Sequence, residues 1–306
     1  MKLNRREFVA AGAAALAATK FAWSAGEAKL PLAFSTLGCP KWELSEILEF
    51  AQAHGFAAVE LRGLLGALDL PSRPEFAPDR IGQTKKEIAA SGIKIACVSS
   101  STELHLADPA KRAQGIADGK RFIDLAQSLG APYVRVFGNK FEGGTREEII
   151  ARVAAGMHEM AEYSGPRGVT VILESHGDFV DSPTLKEVLT RANSEYVGLL
   201  WDAHHTFVDG HEQPAKTVAE LGKWIRHTHL KDSVPDGDGR KYVLTGKGDV
   251  PVLAQVQALR RIDYKGYYCF EWEKVWHPEL LEPEVAFPQY VQVMTGYLAE
   301  NRGSKY

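Results

Sequence analysis

Four short segments in the second half of the chain place ionisable residues where a predicted strand gives way to a loop. They are VILESH (171–176), LLWDAHH (199–205), RHTHLKD (226–232) and CFEWE (269–273). Carboxylates and imidazoles that adjoin buried apolar residues are costly unless they are paired or bind a metal ion. The segments therefore indicate a cluster of interacting groups, provided that the fold brings their ends together.

One residue from each segment gives a set of three oxygen ligands and one nitrogen ligand: Glu174, Asp202, His229 and Glu271. A divalent cation would neutralise carboxylates held this close together. Oxygen-rich sites with one imidazole suit Mn²⁺, Mg²⁺ or Co²⁺ better than a structural zinc site, which favours thiolates and several imidazoles. We predict one divalent metal ion, with Mn²⁺ preferred and Mg²⁺, Co²⁺ or Zn²⁺ as alternatives.

The segments belong to a regular alternation of short β-rich runs and longer amphipathic stretches, which is typical of βα units around a parallel sheet. Apolar residues recur every three or four positions in several of the longer stretches, which predicts helices at 43–54, 120–129 and 146–163. Eight strands are predicted, at 32–36, 57–62, 93–99, 133–137, 170–174, 197–202, 225–230 and 267–272.

Eight strands separated by helices can close into a (β/α)8 TIM barrel, which leaves no exposed sheet edge. All strands of such a barrel end at one mouth, so closure would bring the four segments together. An open doubly wound sheet is the alternative, but no GxGxxG follows the first strand and no GxxxxGK[ST] occurs. The longest irregular stretches, 63–78 and 231–250, follow predicted strands two and seven, at the end of the barrel where active sites lie.

The composition favours one domain and a small neutral substrate. The 306 residues, 45% of them hydrophobic, can bury one large core, and α/β barrels commonly use such a length as a single domain. The net charge is −3, with both signs interspersed and no basic block. Because nucleic acids and anionic membranes are bound through basic patches, neither partner is expected.

The first 25 residues have the organisation of an export signal. Arg5 and Arg6 precede an Ala-rich run at 9–18 and small residues near Ser24, an order typical of a twin-arginine signal peptide. A run of about ten residues is too short to span a bilayer, so no stable membrane anchor is expected. We predict that residues 1–25 engage the twin-arginine export machinery and that 26–306 form a single catalytic domain, periplasmic or otherwise exported. A solvated N-terminal helix is the alternative.

The three cysteines, Cys39, Cys97 and Cys269, show no close pairing motif. An odd number without such a motif predicts core residues rather than a disulfide framework. An exported protein can lack disulfides if it folds before export, which the twin-arginine route permits.

The motifs resemble those of the xylose-isomerase-like barrel superfamily of sugar isomerases and epimerases, which includes tagatose and allulose epimerases and hydroxypyruvate isomerase. The resemblance extends over roughly residues 32–297. The opening segment at 34–63, which contains Glu60 and Arg62, is similar to the family's first βαβ unit. The other matching motifs are Glu-x-His at Glu174–His176, Asp-x-x-His at Asp202–His205, His-Leu-Lys-Asp at His229–Asp232, and Glu271.

The resemblance implies that the four predicted ligands bind one metal ion and that Glu174 and Glu271 face each other across the substrate. A metal that chelates a carbonyl oxygen and the neighbouring hydroxyl stabilises the enediolate formed when the C–H between them loses its proton. Glu174 and Glu271 would then serve as base and acid. The implied function is isomerisation or epimerisation of a sugar or polyol-derived ketone, a small-molecule carbohydrate substrate.

Further residues are expected to bind the substrate. The resemblance assigns His176 and His205 to substrate hydroxyls. Arg135 and Lys231 could anchor a polar end of the substrate, but either could equally pair with a barrel carboxylate. The full predicted set is His176, His205, Arg135, Lys231, Glu60 and Arg62.

Other activities stay open within the resemblance. A 3-keto-glycoside lyase could use the same metal and base, because elimination also begins with proton loss beside a carbonyl. Export disfavours phosphorylated sugars and favours free sugars, inositols or oxidised glycosides. The abasic-site endonuclease branch needs three zinc ions and a DNA-binding surface, which the negative charge disfavours. A non-catalytic sugar-binding barrel, hydride transfer with two metals and a homo-oligomeric assembly also stay open.

Overall fold

The computed structural model describes residues 29–300 and confirms the predicted barrel. All strands except β8 and β9 form one closed parallel barrel, in which neighbours in the chain pair and β10 closes the ring against β1. The strands are β1 (Leu32–Ser35), β2 (Ala58–Leu61), β3 (Lys94–Glu103), β4 (Tyr133–Asn139), β5 (Thr170–Gly177), β6 (Val197–Asp202), β7 (Ile225–Leu230), β8 (Asp232–Asp236), β9 (Gly239–Val243) and β10 (Tyr268–Phe270).

Helices cover the outside of the barrel. They are α1 (Leu44–Ala53), α2 (Ile81–Ser91), α3 (Pro109–Leu129), α4 (Arg146–Ser164), α5 (Ser182–Ala192), α6 (Ala203–Val208), α7 (Pro214–Leu221), α8 (Val252–Arg261) and α9 (Pro283–Ala299). Capping residues stabilise the N-terminal ends of several helices. Thr145 and Glu148, for example, form a capping box on α4. The outer faces of the strands and the inner faces of the helices share one large apolar core.

Helix α3 starts 11 residues before the predicted segment at 120–129. Asp108 accepts hydrogen bonds from the backbone N–H groups of Ala110 and Lys111, and Pro109 occupies the first turn. The first half of α3 contains Gly115 and Gly119, which weaken the helical pattern. Gly119 lets α3 pack closely against α4, because a side chain there would overlap Met160.

The inside of the barrel changes from apolar to charged along the strand direction. Cys97, Ile172 and Leu200 form a small cluster of their own near the floor. Because side chains alternate along a strand, Glu174 and Asp202, two residues beyond Ile172 and Leu200, point to the same interior nearer the mouth. The barrel therefore positions buried ionisable groups above an apolar floor.

The stretch at 231–250, predicted as irregular, contains an antiparallel hairpin of β8 and β9. Asp236 pairs with Gly239, so the connection is the two-residue turn of Gly237 and Asp238, and Gly237 has a φ of +58°. Two-residue hairpin turns commonly have glycine at the first central position, because that position needs a positive φ. The hairpin lies directly after β7, beside the barrel mouth.

Residues 29–300 test the predictions about membrane helices and cysteines but not the prediction of a signal peptide. Within 29–300, no helix combines the length and the apolar character needed to cross a membrane. Cys39, Cys97 and Cys269 are buried and free, as predicted for core residues. The predicted signal peptide at 1–25 lies outside the described residues.

Candidate metal centre at the barrel mouth

The fold brings the four predicted ligands together. Glu174 lies near the end of β5, Asp202 ends β6, His229 lies in β7 and Glu271 follows β10. Strand register aligns two of them directly, since Asp202 pairs with His229. All four residues are buried, and one ligand atom from each lies within 4.8 Å of the others.

The imidazole of His229 is at the centre of this cluster. Its Nδ1 lies 3.2 Å from Glu271 Oε1, 3.4 Å from Glu174 Oε1 and 3.8 Å from Asp202 Oδ2. None of these contacts has hydrogen-bond geometry, so Nδ1 is buried without a hydrogen-bond partner among residues 29–300. Three carboxylates and one imidazole nitrogen thus converge on a common point.

This arrangement fits a divalent metal ion. Ligand atoms bound about 2.1 Å from an octahedral ion lie about 3 Å from their neighbours in the coordination shell. The distances from His229 Nδ1 to the carboxylate oxygens of Glu271 and Glu174 are close to that spacing. An ion would also give the buried Nδ1 the partner that it otherwise lacks.

The charges of the barrel interior support the same fit. With His229 neutral, as a metal ligand must be, five carboxylates face three cationic side chains, which leaves two negative charges uncompensated. The carboxylates belong to Glu60, Glu174, Asp202, Glu271 and Glu273, and the cations to Arg62, Arg135 and Lys231. Burial of uncompensated charge is strongly unfavourable, and one divalent ion would balance this layer.

The pKa shifts show how strongly the cluster attracts positive charge. Burial alone would raise the pKa of Glu174, but Arg135 and His229 outweigh it and lower that pKa to about 2. The pKa of Glu271 is likewise held well below its ordinary value, because His229 and Lys231 outweigh burial. Burial opposes the charged form of His229, yet Glu271, Glu60 and Glu174 raise its pKa well above the ordinary value.

Asp202 has a structural role in addition to facing the cluster. Its Oδ1 accepts hydrogen bonds from the backbone N–H groups of His204 (3.0 Å) and His205 (3.1 Å), which caps α6. Its Oδ2 faces His229 and Lys231. The strand-to-helix turn therefore fixes the carboxylate in the orientation that a ligand requires.

Lys231 lies among the ligands themselves. Its Nζ is 2.7 Å from Asp202 Oδ2 and 2.7 Å from Glu273 Oε1, and it also contacts Glu271 Oε2. Its pKa is raised well above the ordinary value because these carboxylates outweigh burial. Of the two roles that the sequence left open for Lys231, the geometry shows the pairing with barrel carboxylates.

Two buried arginines belong to parts of the barrel that are separated by β3: Arg62 directly follows β2, and Arg135 lies within β4. Arg135 Nε lies 3.1 Å from Glu174 Oε2, and its guanidinium stacks 3.9 Å from the centre of the Phe137 ring. Arg62 donates a hydrogen bond from Nη2 to Ser101 Oγ at 3.0 Å. One Nη1 atom of each arginine is buried without a partner among the described residues, so each guanidinium keeps a free donor.

His176 and His205 lie beside each other near the mouth, with ring centroids 5.0 Å apart. His205 Nδ1 is 2.8 Å from Asp209 Oδ2, and its Nε2 is 3.6 Å from Asp202 Oδ2. His176 Nδ1 is 3.2 Å from Asn139 Oδ1. Both imidazoles are only partly buried, as expected for groups that could reach a substrate.

Glu60 lies deeper than its predicted role suggested. Its carboxylate is fully buried and contacts His229 Nε2, on the side of the ring away from the three other carboxylates. Its remaining contacts are His227 and Ser35. This placement does not favour direct contact with a substrate.

The sequence analysis did not single out Glu273, Tyr242 or His204 as site residues. Glu273 follows Glu271 by two positions, and the alternation of side chains could have placed both on one face. Tyr242 belongs to the hairpin, where its ring approaches Lys231 and His204. Tyr242 was not predicted as a site residue because the stretch that contains it, 231–250, was predicted as irregular.

A family model described as a xylose isomerase-like TIM barrel matches residues 48–293 of the chain. An L-ribulose 3-epimerase from Methylomonas sp. (strain DH-1) is 24% identical over 198 residues. That match covers 62% of this chain and 65% of the enzyme, so the chain spans slightly less than two thirds of this relative's length.

Two solved structures are similar to the barrel. The IOLI protein with a binding zinc atom has a TM-score of 0.75 and 18% identity, and the match covers 90% of this chain and 100% of that protein. A D-allulose 3-epimerase from Methylomonas sp. has a TM-score of 0.71 and 18% identity, and the match covers 89% of this chain and 99% of that enzyme. At these identities, the likeness shows a shared fold.

Proposed function

The chain belongs to the xylose isomerase-like TIM barrel family, and we propose that it is a divalent-metal-dependent isomerase or epimerase of a sugar or polyol-derived ketone. The observation that carries this proposal is the convergence of three carboxylates on the unpartnered Nδ1 of His229. Glu174, Asp202, His229 and Glu271 would hold the ion. Bound there, a divalent ion would polarise a substrate carbonyl and acidify the neighbouring C–H.

Glu174 and Glu271 are the proposed proton-transfer residues. They come from β5 and from the segment after β10, which are separated by β6 and β7 in the barrel. Both carboxylates are ionised at neutral pH, because their pKa values are lowered. Glu174 would accept the proton from the carbon beside the carbonyl, and the C–H electron pair would pass into an enediolate. Glu271, after taking a proton from water, would donate it to the opposite face of that carbon, and Glu174 would release its own proton to water, which restores both carboxylates.

The groups around the ligands would orient the substrate. The free guanidinium N–H donors of Arg62 and Arg135 suit carbonyl and hydroxyl oxygens, and their positive charge would also stabilise an enediolate. His176 and His205, at the mouth, would contact hydroxyl groups further from the reacting carbon. These side chains can donate hydrogen bonds to oxygen atoms, which agrees with a carbohydrate substrate.

The names of the relatives support a ketose substrate and a metal. An L-ribulose 3-epimerase and a D-allulose 3-epimerase are by name enzymes that change the configuration beside a ketone. The similar IOLI structure contains a zinc atom, which keeps Zn²⁺ among the metals proposed beside Mn²⁺, Mg²⁺ and Co²⁺. We further propose export through the twin-arginine route, which favours free sugars over phosphorylated ones.

The proposal is tested by solvent exchange with Glu174→Gln. Wild-type protein loaded with Mn²⁺ and incubated in D₂O with ketoses such as D-allulose and L-ribulose should incorporate deuterium beside the carbonyl and form the epimer. The variant should keep the fold and much of the metal affinity, yet lose roughly two to four orders of magnitude in exchange, because the base is gone. The surface variant Glu159→Gln should match the wild type. Exchange by Glu174→Gln within a few-fold of wild type would refute the assigned base.

The same incubations separate the remaining candidates. Release of an aglycone from a 3-keto glycoside, without epimer formation from ketoses, would assign the site to a lyase. Ketose binding by the metal-loaded protein without any deuterium incorporation would assign it to a non-catalytic sugar-binding barrel. Epimer formation that depends on added metal would support the proposed isomerase or epimerase.

A further inference from the structure

A second group of polar residues lies beneath the candidate metal centre, on the far side of the His229 ring. Glu60 Oε2 is 2.8 Å from His229 Nε2 and 2.9 Å from His227 Nε2. Glu60 Oε1 accepts a hydrogen bond from Ser35 Oγ at 3.0 Å. All four residues are buried, with at most a trace of exposure to solvent.

The hydrogen bonds fix where the protons lie. An ionised carboxylate can only accept hydrogen bonds, so the Nε2 atoms of both imidazoles must be the donors toward Glu60. A metal ligand is a neutral imidazole, and in that form His229 carries its single proton on Nε2 and keeps a lone pair on Nδ1. Nδ1 is the atom that faces Glu174, Asp202 and Glu271, so the proton arrangement matches that of a metal ligand.

Glu60, His227 and His229, together with Cys269, could in principle hold a second metal ion, because one ligand atom from each lies within 4.8 Å of the others. Two observations oppose that alternative. Both imidazole contacts to Glu60 have ordinary hydrogen-bond lengths, which fill the positions that an ion would take. Cys269 packs in an apolar cluster with Ala33, Ala58 and Ala96, and apolar surroundings disfavour a thiolate.

We propose that Glu60 is a positioning residue that orients His229 as a metal ligand. Its carboxylate holds the ring in place, keeps the proton on Nε2 and leaves the Nδ1 lone pair directed at the three other carboxylates. Its negative charge makes the imidazole a stronger ligand, as carboxylates hydrogen-bonded to metal-binding histidines do. This role rests on the proposed metal centre, and it replaces the substrate contact that the sequence predicted for Glu60.

Glu60→Gln tests the role through metal affinity, which requires no substrate. Glutamine is isosteric, its amide oxygen can accept from the two imidazoles, and its NH₂ group can donate to Ser35 Oγ. The fold should therefore persist while the charge is lost. Titration of the metal-free protein with Mn²⁺ in a calorimeter should show a dissociation constant about 10–100-fold higher than that of the wild type. The visible spectrum of the Co²⁺-loaded variant should differ as well, because the ligand field of His229 changes.

Two further variants separate positioning from packing. Glu60→Asp keeps the charge but shortens the side chain, and it should also weaken Mn²⁺ binding because the carboxylate no longer reaches both imidazoles. His227→Gln keeps an N–H donor for Glu60 and changes a residue that does not face the four ligands. This matched control should bind Mn²⁺ within a few-fold of the wild-type affinity.

The outcomes are distinguishable. Equal Mn²⁺ affinity for wild type and Glu60→Gln, or an equal loss in His227→Gln, would overturn the positioning role and leave the proposed function intact. Two Mn²⁺ ions per wild-type chain, with one lost in Glu60→Gln, would instead make Glu60 a ligand. A wild-type protein that binds no divalent metal would overturn the proposed function itself.

Discussion

Lys231 is the side chain whose substitution tests the charge balance of the site most directly. Its buried ammonium touches Asp202, Glu271 and Glu273, and Tyr242 approaches it from the hairpin. Removing one partner of a buried ion pair leaves the other charge without compensation. A divalent ion at the neighbouring ligands would supply part of the missing positive charge.

Lys231→Met should therefore destabilise the metal-free protein by about 3–5 kcal/mol, and added Mn²⁺ should restore part of that loss. The measurement is the free energy of unfolding in denaturant, with and without metal. Lys120→Met is the control, because Lys120 pairs with Glu159 at the surface and such pairs contribute about 0–1 kcal/mol. Metal-free Lys231→Met with wild-type stability would contradict the assigned charge balance.

At the residue level, the sequence predicted which groups converge better than it predicted their contacts. Glu174, Asp202, His229 and Glu271 could be placed together because each lies at or near the end of a predicted strand and all barrel strands end at one mouth. The contacts of Glu60 could not be predicted, since they depend on the depth of β2 relative to β7. The closure of the barrel sets that depth, and the sequence pattern of either strand alone does not reveal it.

At the scale of elements, the loop that follows the hairpin is held by one carboxylate. Asp232 accepts hydrogen bonds from the backbone N–H groups of Ser233, Gly246, Gly248 and Val250. Four such bonds fix the return of the chain toward α8. This loop supports the hairpin that carries Tyr242 beside Lys231, so its packing bears on the mouth of the barrel.

Gly248→Ala should disturb this loop, because an added Cβ would overlap Asp232 Oδ1 and the backbone oxygen of Ser233. Overpacking of this kind costs about 1–3 kcal/mol, and the loss should appear as a lower free energy of unfolding. Gly296→Ala in α9 is the matched control, since a Cβ there meets no atom within 4 Å. An exposed helical glycine changed to alanine should be neutral or stabilising. Equal effects of the two changes would contradict the tight packing at 248.

The elements themselves were predictable to different degrees. Strands β6 and β7 have the predicted bounds, and each ends at a charged residue or directly before one. The hairpin was missed although Gly237-Asp238 is a turn signal, since its strands are polar and carry no alternating apolar pattern. The first half of α3 was missed because its glycines mask a helix that tertiary packing stabilises.

At the scale of the whole molecule, the barrel explains why so many charges can lie in one interior. Closure gives every barrel strand a hydrogen-bonded partner on both sides, so the strand pairing does not depend on the charged side chains. Those side chains are then free to form the layer above the apolar floor. A family model and similar folds cover the barrel, whereas export remains a proposal that rests on the sequence of residues 1–25.

The central claim is that this charged layer is built to hold one divalent metal ion at the four converging ligands. Diffraction from crystals grown with Mn²⁺, with anomalous signal from the metal, tests it most directly. We expect one peak per chain, coordinated by His229 Nδ1 and by carboxylate oxygens of Glu174, Asp202 and Glu271. No peak, or a peak only beside Glu60, His227 and Cys269, would contradict the claim.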